Sequence, residues 1–485
     1  MQRNVTPPDT RDWPRRAALA VLAITAVRVL LLAFNRTDLF VDEAQYWLWG
    51  EELAFGYYSK PPLIGWVLAF FTAFSDGTFW VRLPGPLFHG ATAMIIGSIA
   101  HRLYGGRTAF FVAVSYVTLP MVALASLLIS TDTIMFPFLA GSLACYLRLL
   151  DKKETRFAVL TGLLLGLAFL GKYAAIYYPI CAALAALVFH EARPSRRHIG
   201  ILLGVFAVTI LPNLIWNVLN GFSTLSHTLD NADWVRAPGS RAGLHPGALA
   251  EFFLSQFAVF GPVLFSALLI VAATAKRRSP VAQFLLIFSI PILLIVCVQA
   301  LLSRAYANWA AAAYIAGLLV AVPWLMGRHR RWMIASFAIN GFFCVVLPLL
   351  TLFPEQLKIR GQQVLSRYTG RAEMSETILD IATDLRVGAI VAENRDVLAD
   401  LFYTGRDSGI GIYAIPPQGR APHHYAQKHP YVPDGRDVLL VQPPQVEVPC
   451  PEEVVELAEM EPEDGAYRDK PQMLYLVPGV CIAAP

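Results

Sequence analysis

Residues 280–302 read PVAQFLLIFSIPILLIVCVQALL, a run without Asp, Glu, Lys or Arg that follows Lys276-Arg277-Arg278 and precedes Ser303-Arg304. A membrane-spanning helix needs about 20 mainly apolar residues, because the bilayer core offers an open backbone no water to bond. This run has the length, and the basic triplet marks its side. Further runs of the same kind lie at 15–34, 80–101, 108–119, 133–150, 157–171, 173–189, 199–219, 250–275, 308–327 and 332–353, those at 108–119 and 157–171 being the shortest. Of 485 residues, 56% are apolar and 15% charged, with mean hydropathy +0.51. An average soluble domain carries roughly 25% charged residues, so this chain has too few to cover a water-facing surface of its size. A net charge of +4, scattered along the chain, excludes a nucleic-acid footprint. The expectation is a polytopic α-helical membrane protein of about 11 spans.

Cytoplasmic loops collect Lys and Arg, which gives an independent test of sidedness. With residues 1–14 cytoplasmic, the inner segments hold Arg3, Arg11, Arg15, Arg16, Arg102, Arg107, Lys152, Lys153, Arg156, Arg193, Arg196, Arg197, Lys276, Arg277, Arg278, Arg328, Arg330 and Arg331. The outer loops before the C-terminal region hold only Arg36, Lys60, Lys172, Arg236, Arg241 and Arg304. The first run lacks a small-residue cleavage site and reads as a retained helix rather than a signal peptide. An odd span count then carries 354–485 to the outside of the membrane domain 15–353. In that C-terminal region Pro, Gly and charge return, and period-2 apolar runs at 387–392, 409–415, 437–442 and 472–477 predict strands. Helical spacing at 374–386 and 394–404 between them predicts a small extracytoplasmic α/β domain. Of six cysteines, none in a C-x-x-C pattern, only Cys450 and Cys481 share a polar region. Spacing leaves their pairing open.

The unusual polar residues gather in the outer loops 35–79, 120–132 and 220–250. In the first, Asp42, Tyr46, Trp49 and Leu53 recur at helical spacing, predicting a short interfacial helix with its tryptophans at headgroup level. Asp42-Glu43 reads either as two acids favourable to the helix dipole or as a carboxylate at the lip of a membrane cavity. Lys60 follows Tyr57 and Tyr58 and precedes Pro61-Pro62, whose rings stiffen the chain. It is either a snorkelling anchor or a cation held for a ligand, and its outer side favours the second. Thr131 or Asp132 is either a helix N-cap or a site residue. The third loop carries His227, Asp230, Asn231, Asp233 and Arg236, and Arg304 stands at the outer end of a span, as anchor or as site residue.

In this order, V-D-E-A-Q-Y-W (41–47), Y-Y-S-K-P-P-L-I-G-W (57–66), V-R-L-P (81–84) and S-T-D-T (130–133) resemble the GT-C glycosyltransferases. The likeness is to the glycosyltransferase 39/83 group, with the lipid A aminoarabinose transferases, protein O-mannosyltransferases and bacterial core galacturonosyl and mannosyl transferases. The resemblance implies a GT-C type membrane domain and a polyprenyl-phosphate-linked sugar donor in the bilayer of the inner membrane. It implies as acceptor an envelope glycolipid, lipid A or lipopolysaccharide core, or in some members a protein. It makes Asp42 the catalytic carboxylate, with Glu43 in reserve, Lys60 the contact to the carrier-lipid phosphate, and Asp132 a second site aspartate. Where aminoarabinose transferases have an acid before that lysine, this chain has Ser59; no cofactor follows from the sequence, and a divalent metal remains an open expectation.

The residue types suit that chemistry. A phosphate leaving group needs cations, supplied by Lys60 with Arg304 or Arg236, while Tyr57, Tyr58 and His227 offer hydrogen bonds or stacking to the substrate. An acceptor hydroxyl needs a carboxylate base on the far side of the anomeric carbon, and one displacement inverts that centre. The competing class is a transporter or flippase for a lipid-linked glycan. Such proteins place ionisable groups within spans and often show inverted repeats, and the chain shows no repeat.

Overall fold

The computed structural model describes residues 12–231, 233, 243–328 and 330–482. The chain divides into two compact units.

The first unit comprises Met1–Ala33, Lys60–Leu63 and Arg82–Pro348 and is helical. Among the described residues, five helices are long and apolar enough to cross a membrane: Thr78–Tyr104, Thr131–Lys152, Arg196–Leu219, Pro280–Leu302 and Arg330–Leu350. Shorter apolar helices include Thr155–Gly171, Tyr173–Val188 and Ala313–Met326. The stretch expected as one span at 250–275 is two helices, Pro246–Val259 and Pro262–Ala273, bent by 114°. The break has a local cause. Gly261 takes a positive φ of 82° that suits glycine, and Pro262 opens the next helix without needing a donor. The bend is filled from inside, where Phe260 stacks on Tyr314 with ring centroids 4.1 Å apart and Tyr314 donates to Gln256 Oε1 at 2.6 Å.

Helix contact in this unit depends on small residues, since lipid gives no hydrophobic drive between helices. A Cβ on Gly162 would collide with the Leu202 carbonyl oxygen, so Thr155–Gly171 and Arg196–Leu219 approach backbone to backbone. The outer side of Arg196–Leu219 leaves Leu203, Val208, Ile215 and Leu219 uncovered, a surface that suits acyl chains and not water. One charge is buried in the first helix, Trp13–Leu32: Arg28 donates to Ser126 Oγ at 3.1 Å and to the Val117 carbonyl.

The second unit comprises Phe34–Ser59, Ile64–Val81 and Leu349–Pro485. Two-residue strands β1 (Lys358–Ile359) and β2 (Gln362–Gln363) pair with each other. The main sheet uses β3 (Ala389–Ala392), β4 (Gly411–Ala414), β5 (Asp437–Gln442), β6 (Val455–Met460) and β7 (Gln472–Pro478), in the order β4-β3-β5-β7-β6. β4, β3 and β5 run parallel, and β7 is antiparallel to both β5 and β6. The helices Arg371–Asp384 and Arg395–Thr404 flank β3 in sequence, close to where spacing put them. The four expected strands are present. β6 went unpredicted because it is an edge strand carrying Glu456 and Glu459, with Val455 exposed, so no clean alternation survives. Cys450 and Cys481 form a disulfide with Cα atoms 5.8 Å apart.

Most of the segment 35–79 belongs to this unit. Val41–Glu51 is a helix, as the spacing predicts, but its tryptophans do not lie at a headgroup surface. Trp49 is fully buried, stacked on Tyr57 at 4.5 Å, and Trp47 donates to Asp76 Oδ1 at 2.9 Å while its ring meets the edge of Tyr403. Protein, not lipid, covers them, a distinction that helical periodicity cannot make.

Candidate active site

The helix Val41–Glu51 starts at a capping box without a hydroxyl. Phe40 takes the N-cap position, and the Glu43 carboxylate accepts its N–H at 2.9 Å. Glu43 is 1% exposed, so the expected reserve base is committed to holding the helix start. Asp42, one residue earlier, has a different setting. Its Oδ1 accepts from Arg395 Nη2 at 2.5 Å, and the same guanidinium donates through Nε to Gln45 Oε1 at 2.9 Å. Arg395 opens the helix Arg395–Thr404, fixed by Asn394, whose side chain accepts the Asp396 N–H at 2.7 Å. Burial disfavours the charge on Arg395, but the Asp42 carboxylate, with smaller help from Tyr425 and Tyr46, outweighs this and the guanidinium titrates above its ordinary value. The Asp42 side chain remains 43% exposed.

Tyr57 and Tyr58 were expected to donate to phosphate or stack on sugar. In the structure Tyr57 donates to the Trp49 carbonyl at 2.6 Å, and Tyr58 donates to the carbonyls of Pro422 and Ala421 at 2.9 and 3.1 Å. A phenol has one proton to give, and both rings are buried. Burial also pushes the Tyr57 phenol up to about 12, so it stays a neutral donor. These tyrosines brace the loop instead.

In the first unit, Lys60 is half-buried and leads directly into Pro61-Pro62. Asp132 lies in the first turn of Thr131–Lys152, and Ser130, rather than Thr131 or Asp132, is the N-cap, its hydroxyl accepting the Thr133 N–H at 3.3 Å. Asp132 Oδ2 accepts from Lys172 Nζ at 2.7 Å and from Asn308 Nδ2 at 2.8 Å. Lys172 ends the helix Thr155–Gly171 as its C-cap, and Asn308 sits in the turn Ala307–Ala310. Arg304 is exposed, its guanidinium 5.9 Å over the Tyr306 ring. His227 is half-buried on the helix Ser223–Asn231, Asp233 accepts from Ser303 Oγ at 3.1 Å, and Arg236 lies outside the described residues.

Sequence reasoning missed Arg395, Lys172 and the clustering of Asn308 with Asp132. Lys172 carried a signal, being one of few cations expected on the outer side. Arg395 carried none, since 353 residues separate it from Asp42. Ser59, at the position where an acid would bring charge to a metal, offers only a hydroxyl. Among the described residues, Glu52, His424 and His429 are the set whose donor atoms converge as metal ligands do.

Residues 59–216 match the family described as dolichyl-phosphate-mannose-protein mannosyltransferase. The lipid A galacturonosyltransferase RgtD of Rhizobium johnstonii is 39% identical over 97% of this chain and 99% of its own length. Two crystal structures of ArnT from Cupriavidus metallidurans, apo and bound to undecaprenyl phosphate, superpose with TM-scores of 0.61 and 0.62 over 96% of this chain and 99% of theirs, at 14% and 16% identity. The fold is thus that of ArnT, a membrane protein built on apolar helices. With full-length similarity at that level to a sugar transferase, the chain belongs to the GT-C family of glycosyltransferases.

Proposed function

We propose that this protein transfers a galacturonosyl residue from a polyprenyl-phosphate-linked donor to a hydroxyl of lipid A or the adjoining core, on the outer face of the inner membrane. The observation that carries this is the 39% identity with RgtD along nearly the whole of both chains. In the reaction, Asp42 takes the acceptor's hydroxyl proton as that oxygen bonds to the anomeric carbon. The bond from that carbon to the phosphate oxygen breaks on the opposite face, inverting the centre, and the polyprenyl phosphate leaves with the electron pair. Lys60 neutralises the leaving phosphate, with Arg304 and Arg236 as candidate second cations and His227 as a substrate contact. Arg395 fixes the orientation of the Asp42 carboxylate between turnovers. Asp132 keeps Lys172 in place through a charge-assisted bond.

The same reading gives about 11 spans with residues 354–485 outside. The distribution of Lys and Arg supports it, and so does the Cys450–Cys481 disulfide, since such bonds persist in oxidising compartments. The deciding experiment incubates the purified protein with radiolabelled polyprenyl-phosphate galacturonic acid and lipid A, followed by mass spectrometry. Gain of a uronosyl mass on lipid A is the expected result. Movement of the donor across vesicles without a new bond would identify a flippase and overturn the proposal.

A further inference from the structure

We propose that Glu52, His424 and His429 form a zinc site that clips the end of the first-loop helix to the C-terminal sheet domain. All three belong to the second unit. Glu52 is the C-cap of Val41–Glu51, its N–H donating to the Leu48 carbonyl. His424 opens the short helix His424–Lys428 and His429 closes it, so one rigid turn presents both imidazoles. That turn is itself fixed, because the His423 ring accepts the Ala426 N–H at 3.1 Å.

The geometry points to a metal for two independent reasons. One ligand atom from each residue lies within 4.8 Å of the others, and His429 Nε2 is 3.2 Å from Glu52 Oε1. Tetrahedral zinc, with bonds of about 2.0–2.2 Å, holds its ligand atoms roughly 3.3–3.5 Å apart. One pair is close to this spacing and the remainder is within side-chain rotation. The second reason is His424. It is 2% exposed, and neither ring nitrogen has a hydrogen-bond partner. Leaving a buried polar atom unbonded is destabilising, and native structures resolve such groups with water or an ion. The walls suit an ion site with restricted solvent, with Trp49 edge-on to His424 at 5.6 Å and Phe402 against His429 at 4.8 Å.

Two imidazoles and one carboxylate select a borderline transition ion such as Zn²⁺ over Mg²⁺ or Ca²⁺, which take oxygen ligands. Three protein ligands leave a fourth position for water. The set does not use the position before Lys60, which is Ser59. The bound metal would fix the C-terminal end of the helix whose first turn carries Asp42, making these three positioning residues.

The test reads metal, not sugar transfer, so its outcome is independent of the proposed acceptor and donor. Full-length protein purified in detergent is stripped with a chelator and titrated with Zn²⁺ or Co²⁺, reading metal per chain by mass spectrometry, Co²⁺ d–d absorption and thermal unfolding. The expectation is one equivalent per chain, an intense tetrahedral Co²⁺ band and a Tm raised by Zn²⁺. Glu52→Gln and His429→Ala, at positions not fully buried, should fold and weaken binding at least about tenfold, in the range expected for altered metal surroundings. His424→Ala should abolish the Co²⁺ band. Substoichiometric metal in the unaltered protein, or affinity unchanged in both Glu52→Gln and His429→Ala, overturns the proposal.

Discussion

The two aspartates that the sequence singles out occupy opposite surroundings. Asp132, with its side chain 10% exposed, receives an ammonium and an amide on one oxygen, so its charge is balanced and its position fixed. Asp42 is 43% exposed and accepts from the Arg395 guanidinium of a helix distant in sequence. A group that must collect a proton has to be reachable as well as basic, and Asp42 meets that condition where Asp132 does not. Proximity to a cation does not separate them, since both have one. Exposure does, and on that difference rests the proposed division of the two into a base and a brace.

The sharpest way to break the contrast is Asp42→Asn, which is nearly isosteric and removes the proton acceptor. Turnover should fall roughly 10²- to 10⁴-fold with Tm close to that of the parent, measured by transfer assay and thermal unfolding. If Asp132→Asn gave that loss and Asp42→Asn did not, the roles would be exchanged. Next in size is Lys60→Ala, where loss of a charged contact of about 1.5–3 kcal/mol should lower kcat/KM for the donor by roughly 10- to 100-fold. The acceptor's KM should stay unchanged, and Lys60→Arg should restore part of the loss. A snorkelling lysine would instead cost expression and leave both constants alone. Asp132→Asn ranks third and strips Lys172 of its counter-charge. A pair between surface and core should cost about 2 kcal/mol in denaturant unfolding, with a kcat loss well below that of Asp42→Asn. Smallest is Glu43→Gln. Glutamine also serves at this cap position, so stability should drop by less than about 1 kcal/mol and kcat by less than about twofold. A hundredfold loss there would move the base from Asp42 to its neighbour.

Local signals were legible. The helix at Val41–Glu51, the flanking helices of the sheet domain and four of its strands follow from spacing of apolar residues within short windows. Asp42, Lys60 and Asp132 could be singled out because acids and an outer lysine contradict an otherwise apolar chain. What stayed hidden is what joins distant segments. Asn308 lies 176 residues from Asp132, and no periodicity links them. The burial of Trp47 and Trp49 was misread because a helix face turned to protein and one turned to lipid carry the same residues. The break at Gly261-Pro262 was visible as letters but not as a bend, because a proline opening a new helix reads like one tolerated inside a span.

The sheet order has a consequence for the timing of assembly. β7 lies between β5 and β6, yet it follows both in the chain. As the segment emerges during synthesis, β5 is left with an open edge on that side and β6 has no partner until β7 arrives. During that interval two strand edges are available to other chains. The charges on β6, Glu456 and Glu459, fall within that window and act as guards, and the disulfide between Cys450 and Cys481 can close only after β7 has passed through. Oxidation of this pair thus records the completion of the domain, and a chain stalled before β7 would carry Cys450 as a free thiol beside an unpaired edge.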